Sequence, residues 1–288
     1  MTSRLPVSQP EHSPSWHAEL HLGFARVGER TVLRENRHRG PLRVQKALYP
    51  EGDDVCQAIV LHPPSGIAGG DHLAISVGVG AGAHVQLTTP GAGKWYRSGG
   101  AEASQRIDFT VGEGATLEWL PQETIVFDGA RARMETQVDL AADSCYIGWD
   151  ILCLGRAAAG ERFETGRFDL LLRINRDRRP IWIERGGFDG SDPMLHSPAG
   201  WAGATVCGTL LCSFPELPQQ AACLLEACRQ VIPNDATQHG LSALPGVLIA
   251  RYLGNNSEAA RLWFADLWSI LRPACAGRPA VTPRIWQT

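Results

Sequence analysis

The sequence predicts a mainly β protein in which strands stack in helix-like, solenoid-type layers, with a small helical group near the C-terminal end. Three observations predict this fold. Short runs of alternating apolar residues recur from about residue 16 to residue 214, a pattern typical of strands. A glycine-containing segment repeats within that region, and such repetition is typical of stacked β architectures. After residue 214 the apolar residues recur at helical spacing.

The alternation is clearest in four stretches. Period two indicates strands because successive side chains of a strand point to opposite faces. The alternating residues are Leu73, Ile75, Val77 and Val79; Ile107, Phe109 and Val111; Cys145, Ile147, Trp149, Ile151 and Cys153; and Phe168, Leu170, Leu172 and Ile174.

The repeated segment surrounds paired glycines. Residues 79–87 (VGAGAHVQL) align with residues 111–119 (VGEGATLEW), and a weaker third copy covers 140–148. In each copy a strand ends, the chain turns and another strand begins, and glycine suits such turns because it accepts positive φ. Two interpretations stay open: stacked β layers, or hairpin turns that recur in an ordinary meander.

Three helices are predicted after residue 214. The first covers 218–231, with Pro218 in its first turn. A shorter one covers 244–253. The clearest covers 257–271, where Ser257 is positioned to cap the N-terminus and Pro273 to end the helix.

Composition limits the domain organisation and the partners. Residues 1–15 are polar and contain three prolines, which predicts a flexible N-terminal tail rather than a signal peptide. Residues 16–288 are predicted to form a single domain, β-rich over 16–214 and helical over 215–273. The formal net charge is -3, which argues against nucleic acid as a partner. No apolar run approaches the ~18–20 residues of a membrane helix.

Eight cysteines are present without a Cys-x-x-Cys motif, mostly in apolar segments. They are predicted to be reduced core residues of a cytoplasmic protein.

Residues 88–95 (TTPGAGKW) resemble a phosphate-binding loop, but Thr88 replaces its first glycine and Trp95 its final hydroxyl residue. Nucleotide binding is therefore disfavoured.

No catalytic or metal motif is complete. The sequence contains neither His-Glu-x-x-His nor Gly-x-Ser-x-Gly. His62, His72 and His84 lie in the glycine-rich region, either as metal ligands or as histidines with local partners at strand ends.

Six carboxylates are more informative because they lie in or beside apolar strands and glycine turns, where an unpaired charge is costly to bury. Either they pair with arginines such as Arg97, Arg131 and Arg156, or they line a wet interior. The six are Asp71, Glu118, Glu123, Asp128, Asp150 and Glu161.

Several segments together resemble the UreD (UreH) family of urease accessory proteins. Residues 117–130 (LEWLPQETIVFDGA) match the family pattern almost letter for letter. Residues 62–71 (HPPSGIAGGD) and 88–98 (TTPGAGKWYRS) resemble two more of its motifs, although Pro90 replaces a usually polar residue. Further similar blocks occur at 40–52, 148–151, 155–163, 244–254 and 283–286, so the resemblance extends from about residue 16 to the C-terminus.

The resemblance implies a non-catalytic urease maturation chaperone with a β-rich, helix-like fold. Proteins of this family bind the urease apoprotein with UreF and the GTPase UreG, and Ni²⁺ passes toward the urease active site through a water-filled passage. For this chain the resemblance implies a cytoplasmic location, no tightly bound cofactor and transient Ni²⁺. Two rival interpretations remain: an enzyme that uses Asp71 or Glu123 as a base, and a β-solenoid interaction module with no metal role.

The hypothesis of an internal passage for Ni²⁺ predicts which residues line it. Oxygen ligands and an occasional imidazole suit a metal ion that must be released again. We therefore expect weak, transient metal ligands along the passage, with neutral threonines beside them. The predicted ligands are His62, Asp71, Glu123, Asp128 and Glu161, and the neutral lining residues are Thr88 and Thr89. In the C-terminal helices Trp263 and Trp268 are candidates for exposed partner contacts, or else core residues.

Overall fold

The computed structural model describes residues 15–235 and 237–287 and confirms the predicted fold class: a mainly β solenoid of about four turns with a C-terminal helix. Within these residues the strands are β1 (His17–Val27), β2 (Arg30–Arg39), β3 (Arg43–Val44), β4 (Val55–Leu61), β5 (Gly66–Ile67), β6 (His72–Val79), β7 (His84–Thr88), β8 (Gly93–Trp95), β9 (Ala103–Val111), β10 (Thr116–Trp119), β11 (Thr124–Val126), β12 (Arg131–Leu140), β13 (Cys145–Leu154), β14 (Arg167–Arg176), β15 (Arg179–Asp189), β16 (Val206–Ser213), β17 (Gln238–Leu244) and β18 (Val247–Gly254). The helices are α1 (Leu217–Arg229) and α2 (Ser257–Ala276).

The strands form two sheets whose central ladders are parallel. The smaller sheet has the order β15-β14-β12-β9-β6-β1-β2, and its outermost pairs are antiparallel. The larger sheet has the path β17-β18-β16-β13-β10-β7-β4-β3, with a short side ladder of β5, β8 and β11. Each turn of the solenoid runs from the larger sheet through this side ladder to the smaller sheet, as in β7, β8 and β9.

The repeat in the sequence is the layer of the solenoid. His84 pairs with Thr116, and Thr116 pairs in turn with Cys145. This register equals the alignment of residues 79–87, 111–119 and 140–148. The turns also bond to one another, since the Gly112 amide donates to the Val79 carbonyl at 2.8 Å. Stacked layers are therefore the correct interpretation, and hairpins of a simple meander are not.

Two hydrophobic cores hold the molecule together. The first fills the space between the two sheets and includes Leu20, Val77, Leu117 and Phe168. The second lies between the larger sheet and the helices. The central strands of the larger sheet thus pack on both faces, which agrees with the nearly continuous burial of β13.

The first helix begins as predicted, with Pro218 in its first turn. The prediction of a helix over 244–253 is wrong: this segment joins β17 to β18 through a turn at Pro245 and Gly246, where Gly246 has a φ of 87°. A short apolar run does not distinguish a buried strand from a helix by period alone. The predicted helical part, 215–273, therefore contains a β hairpin.

The ends of α2 also differ from the prediction. Asn256, rather than Ser257, is the N-cap, and its side chain accepts a hydrogen bond from the Ala259 amide at 3.1 Å. Pro273 lies inside the last turn and does not end the helix, which closes at Gly277 in the left-handed region. A proline near the C-terminal end removes one helical hydrogen bond, and burial of the apolar face offsets that loss.

Three further predictions concern the N-terminal tail, the cysteines and membrane-spanning helices. The predicted tail, residues 1–15, lies outside the described residues except for Ser15. All eight cysteines are free; five are buried, whereas Cys223 is exposed. No helix within the described ranges combines the length and the apolar character needed to cross a bilayer.

Candidate functional site

A cavity of about 170 Å³ lies between the two sheets, beside the side ladder. Its wall is mostly apolar, from residues such as Ile75, Ile107 and Trp119. A polar minority interrupts this wall: His62, Thr89, Lys94, Gln105, Gln122, Glu123, Thr124 and Asp150. An apolar cavity with a few convergent polar groups is the usual form of a binding site.

Three of the predicted passage residues line this cavity: His62, Thr89 and Glu123. Burial lowers the pKa of His62, and the nearby Asp71 carboxylate opposes that effect. A neutral imidazole is the form that binds a metal ion. The carboxylate of Glu123 is held only loosely, because its distance to Arg261 is 3.9 Å. The Thr89 hydroxyl accepts a hydrogen bond from the Gln122 amide at 2.9 Å and so shapes the rim.

Asp150 is the most unusual group of the cavity wall. It lies on the inward face of β13, and its carboxylate has no hydrogen-bond or ion-pair partner within the described residues. Burial, together with the like charge of Glu184, raises the pKa of Asp150 to about 7. Both oxygens of this carboxyl group are therefore free to bind a ligand, and its pKa of about 7 lies near neutral pH.

Polar groups continue beyond Asp150, along the inner face of the larger sheet. Thr209 pairs with Asp150 across the sheet, and Arg251 pairs with Thr209. Arg251 donates to Glu184 of the opposite sheet at 2.5 Å and to the Thr209 hydroxyl at 2.9 Å. The second carboxylate oxygen of Glu184 and the indole nitrogen of Trp182 are buried without a hydrogen-bond partner. Unsatisfied buried polar atoms are rare and mark places where water or an ion enters.

Asp71 does not line the cavity; it anchors a loop. Its two carboxylate oxygens accept from the Trp16 amide at 2.9 Å and from the Ala68 amide at 2.8 Å. Asp71 is buried, so these bonds join the N-terminal strand to the glycine-rich turn. Its predicted role as a metal ligand stays a prediction.

We expect Asp71→Ala to lower the free energy of unfolding by about 1–3 kcal/mol, because two amides lose their acceptor in a buried turn. Urea denaturation measures this loss. The matched control is Asp108→Ala on the exposed outer face of β9, which is expected to change stability by less than about 0.5 kcal/mol. Equal stabilities of the two variants would contradict the anchoring role.

Asp128 and Glu161 form a second anchored group, also outside the cavity wall. Burial alone would raise the pKa of Asp128, but the amides of Thr165 and Glu164 and the hydroxyl of Thr165 outweigh it and lower that pKa. Arg97 pairs with Asp128 at 2.5 Å. Arg156, at 2.7 Å, lowers the pKa of Glu161, which also accepts from the Asp128 amide.

Ion pairing is found for part of the six carboxylates, and the wet interior stays a prediction. Arg97 and Arg156 form the predicted ion pairs, whereas Arg131 pairs with none of the six among the described residues. Asp150 and Glu123 line the interior cavity.

Thr88 and the two tryptophans lie on the other side of the larger sheet. The Thr88 hydroxyl donates to the Leu120 carbonyl at 2.6 Å and accepts from Trp286. Trp263 is 2% exposed and Trp268 is 1% exposed. Of the two interpretations of these tryptophans, exposed partner contacts are wrong and core residues are correct. Both belong to the core under α2, where their indole nitrogens donate to the Val231 carbonyl and to Glu118.

A buried charge network fixes α2 to the solenoid. Arg272 of α2 is fully buried and donates to Glu118 at 3.0 Å and to Glu51 at 2.6 Å. His84 contacts the same Glu118 at 2.6 Å. Burial would raise the pKa of Glu118, but the hydrogen bond and charge of His84, followed by those of Arg272, lower it overall.

The sequence pointed to Glu118 and to His84, which contacts it, but not to Arg272. Arg272 and Glu184 lie in no motif, and nothing in the 40–52 block singled out Glu51. The contacts of these three residues join positions far apart in the chain. Arg272 lies among the apolar residues that form the buried face of α2. A charged residue at a core position of a helical pattern is the one signal that would have found it.

Within the described residues no group of three or more His, Cys, Asp or Glu side chains is assembled for a metal ion. The polar interior groups are instead spread along the space between the sheets. A stack of β layers that encloses such an interior and carries helices on its outer face defines a β-solenoid scaffold.

The comparisons with known proteins specify this class. A family model described as UreD urease accessory protein matches residues 17–287. Urease accessory protein UreD of Dechloromonas aromatica (strain RCB) is 87% identical over 288 residues, 100% of both chains. Urease accessory protein UreD of Azoarcus sp. (strain BH72) is 54% identical over 275 residues, 96% of this chain and 95% of that protein. The chain therefore belongs to the UreD family of urease accessory proteins.

Proposed function

We propose that this chain is a non-catalytic scaffold for urease maturation. In this proposal it binds the urease apoprotein together with UreF and the GTPase UreG in the cytoplasm and passes Ni²⁺ through its interior toward the urease active site. The observation that carries the proposal is the cavity between the sheets, which places His62, Glu123 and Asp150 around one space. Membership in a family of urease accessory proteins supplies the context.

The chemistry of these groups suits transfer rather than storage. An ion that is handed on needs few ligands at each point, because many ligands in ideal geometry would hold it. Carboxylate oxygens and one neutral imidazole, spread along the wall, provide such weak contacts. Ni²⁺ is thus cargo in this proposal, and no cofactor is tightly bound.

The route continues from the cavity through Asp150 toward Glu184. The unpartnered oxygen of Glu184 and the open carboxyl of Asp150 face the same inner layer. Asp71, Asp128, Glu161 and Thr88 hold loops and turns outside the wall, and their predicted metal contacts stay a prediction. The route is assigned to the residues that line the cavity between the sheets and its continuation toward Glu184.

We expect Glu123→Gln and His62→Gln each to lower the nickel content of matured urease about two- to tenfold, because each removes a ligand and keeps the side-chain volume. The measurement is nickel bound per urease after maturation with UreF, UreG and each variant. Asp108→Asn, at a half-exposed carboxylate that pairs with Arg106 on the outer face of the smaller sheet, is the matched control. Each variant must still co-purify with urease, UreF and UreG as the unchanged chain does.

The same experiment separates the rival proposals. An interaction module without a metal role predicts that both variants mature urease as the unchanged protein does. Loss of the complex instead of the nickel would assign His62 and Glu123 to structure. An enzyme that uses Asp71 or Glu123 as a base predicts turnover by the isolated chain, which this proposal does not.

A further inference from the structure

The main paths of the two sheets end in four edge strands: β2 and β15 in the smaller sheet, and β3 and β17 in the larger one. The side ladder ends in β5, which is two residues long. An edge strand presents unpaired backbone donors and acceptors, to which another chain adds readily. Soluble proteins block such edges with charges, prolines, bulges or short length. The four edges of this solenoid differ in how they are blocked.

Three edges carry blocking devices. Strand β2 contains four arginines, and its pairing with β1 shifts register at Gly23 and Phe24. Strand β15 contains Pro180 and three charged residues besides Asp189, and its pairing with β14 shifts register at Ile174. Strand β3 is two residues long.

The edge formed by β17 has none of these devices. Its seven residues, QHGLSAL, include no proline and no Lys, Arg, Asp or Glu, and they pair with β18 without a register shift. Gln238, His239, Gly240, Ser242 and Leu244 are exposed. Arg229 approaches the Leu241 carbonyl at 3.5 Å, a distance at which little hydrogen-bond strength remains. Helix α1 packs on one face of β17, and beyond the Arg229 contact the backbone of this regular, uncharged edge is open to strand addition.

The surroundings of β17 indicate which kind of strand fits. Strand β18 lies opposite β15, because Arg251 contacts Glu184 and Gly246 lies beside Ile181. Strand β17 therefore overhangs the smaller sheet, which explains why its inward-facing Leu244 is 47% exposed. At the same end Arg178 and Arg179, at the turn before β15, have no ion pair among the described residues. An occupant needs apolar side chains for the overhang and carboxylates for these arginines.

We propose that an extended, acidic and apolar segment of a partner protein adds to β17 as a further strand of the larger sheet. The inference rests on the proposed function, since the partner is a member of the maturation assembly. A second copy of this chain fits less well, because its own β17 brings no carboxylate to the arginines. Backbone hydrogen bonds supply affinity in such strand addition, and the alternate side chains supply specificity.

The test uses the full chain with urease apoprotein and UreF. Amide hydrogen exchange of residues 238–244 is compared between the free chain and the assembled complex, where at least about tenfold slower exchange is expected. Ser242→Lys places a charge on the exposed edge and is expected to weaken assembly about tenfold or more. Ile183→Lys, at an exposed position of the blocked β15 edge, is the matched control and is expected to assemble normally.

The outcomes separate the two proposals. A complex that forms and matures urease while residues 238–244 exchange as in the free chain overturns the strand addition and leaves the proposed function standing. Equal assembly of the Ser242→Lys and Ile183→Lys variants overturns it as well. A dimer of this chain alone that Ser242→Lys dissolves assigns the edge to self-association and overturns the partner proposal. Failure of the unchanged chain to bind either protein overturns both proposals.

Discussion

Replacing Arg272 with alanine is expected to lower the free energy of unfolding by about 3–5 kcal/mol, because the change leaves buried carboxylates without their counter-charge. Glu118 is completely buried, and the side chain of Glu51 is 3% exposed. The Arg272 guanidinium contacts both carboxylates at 2.6–3.1 Å and is the buried cation between them. Their other partners are His84 and Trp268 at Glu118, and Gln57 and Arg278 at Glu51. Water does not reach Glu118 to replace these bonds.

Urea denaturation followed by circular dichroism measures the effect. The matched control is Arg278→Ala: Arg278 also contacts Glu51 and Asp54, but its side chain is 23% exposed, so a loss of about 1 kcal/mol or less is expected. The double variant Arg272→Met with Glu118→Leu is expected to be more stable than Arg272→Ala, because it removes the charge along with its partner. Equal losses for Arg272→Ala and Arg278→Ala would contradict this account.

The pH dependence follows from the direction of the Glu118 pKa, which is lowered in the folded protein. A lowered carboxyl pKa contributes stability that is present above the unfolded value and is lost as pH falls toward the folded value. Below about pH 4.5 the unchanged protein is therefore expected to lose more stability on acidification than the Arg272→Met/Glu118→Leu variant, which lacks this carboxyl group.

Asp150→Asn is expected to stabilise the protein at pH 8 by about 2–4 kcal/mol while it lowers nickel transfer to urease severalfold. The folded pKa of Asp150 is about 7, above the ordinary value of 3.8. The ionised carboxylate therefore opposes folding, by about 1.4 kcal/mol for each unit of that difference. The penalty is absent below about pH 3.8 and complete above about pH 7, so the variant gains little at pH 4.

Higher stability together with lower nickel transfer would distinguish a functional role of Asp150 from a structural one. A residue kept for packing loses stability when it is changed, whereas a strained group at a functional site gains stability and loses activity. The measurements are urea denaturation at pH 4 and pH 8 and nickel content of urease matured with the variant. Asp108→Asn is the control in both. Unchanged nickel content together with higher stability would remove Asp150 from the proposed route.

The fold could be predicted from the sequence to the extent that it is local and repetitive. Period-two alternation identified β6, β9, β13 and β14, and the aligned segments at 79–87 and 111–119 gave the strand register of the layers. The sequence does not predict the hairpin of β17 and β18, because residues 244–253 are mostly apolar and their apolar residues fit a helical as well as a strand period. Strand β18 is largely apolar because it packs against the helices on one face and the opposite sheet on the other.

The candidate site could be predicted only in part. Motif similarity and local composition pointed to His62, Glu123 and Asp150, which share one cavity. The same signals pointed to Asp71, Asp128 and Glu161, whose carboxylates hold turns through backbone amides. A carboxylate beside a glycine turn serves either purpose, and only the three-dimensional direction of the side chain separates them. Glu184 and Arg251 meet across two sheets, a contact that no local pattern encodes.

The Arg272 network also bears on how the chain is made. Arg272 and Glu51 are 221 positions apart, so a growing chain completes several solenoid layers before the residue that neutralises Glu51 and Glu118 leaves the ribosome. Domains generally acquire structure from the N-terminal side during synthesis, and contacts between distant residues form slowly. Until α2 is released, the part of the outer face that it covers is apolar, charged and exposed. A nascent chain halted before α2 therefore presents this surface to other proteins until α2 is translated and docked.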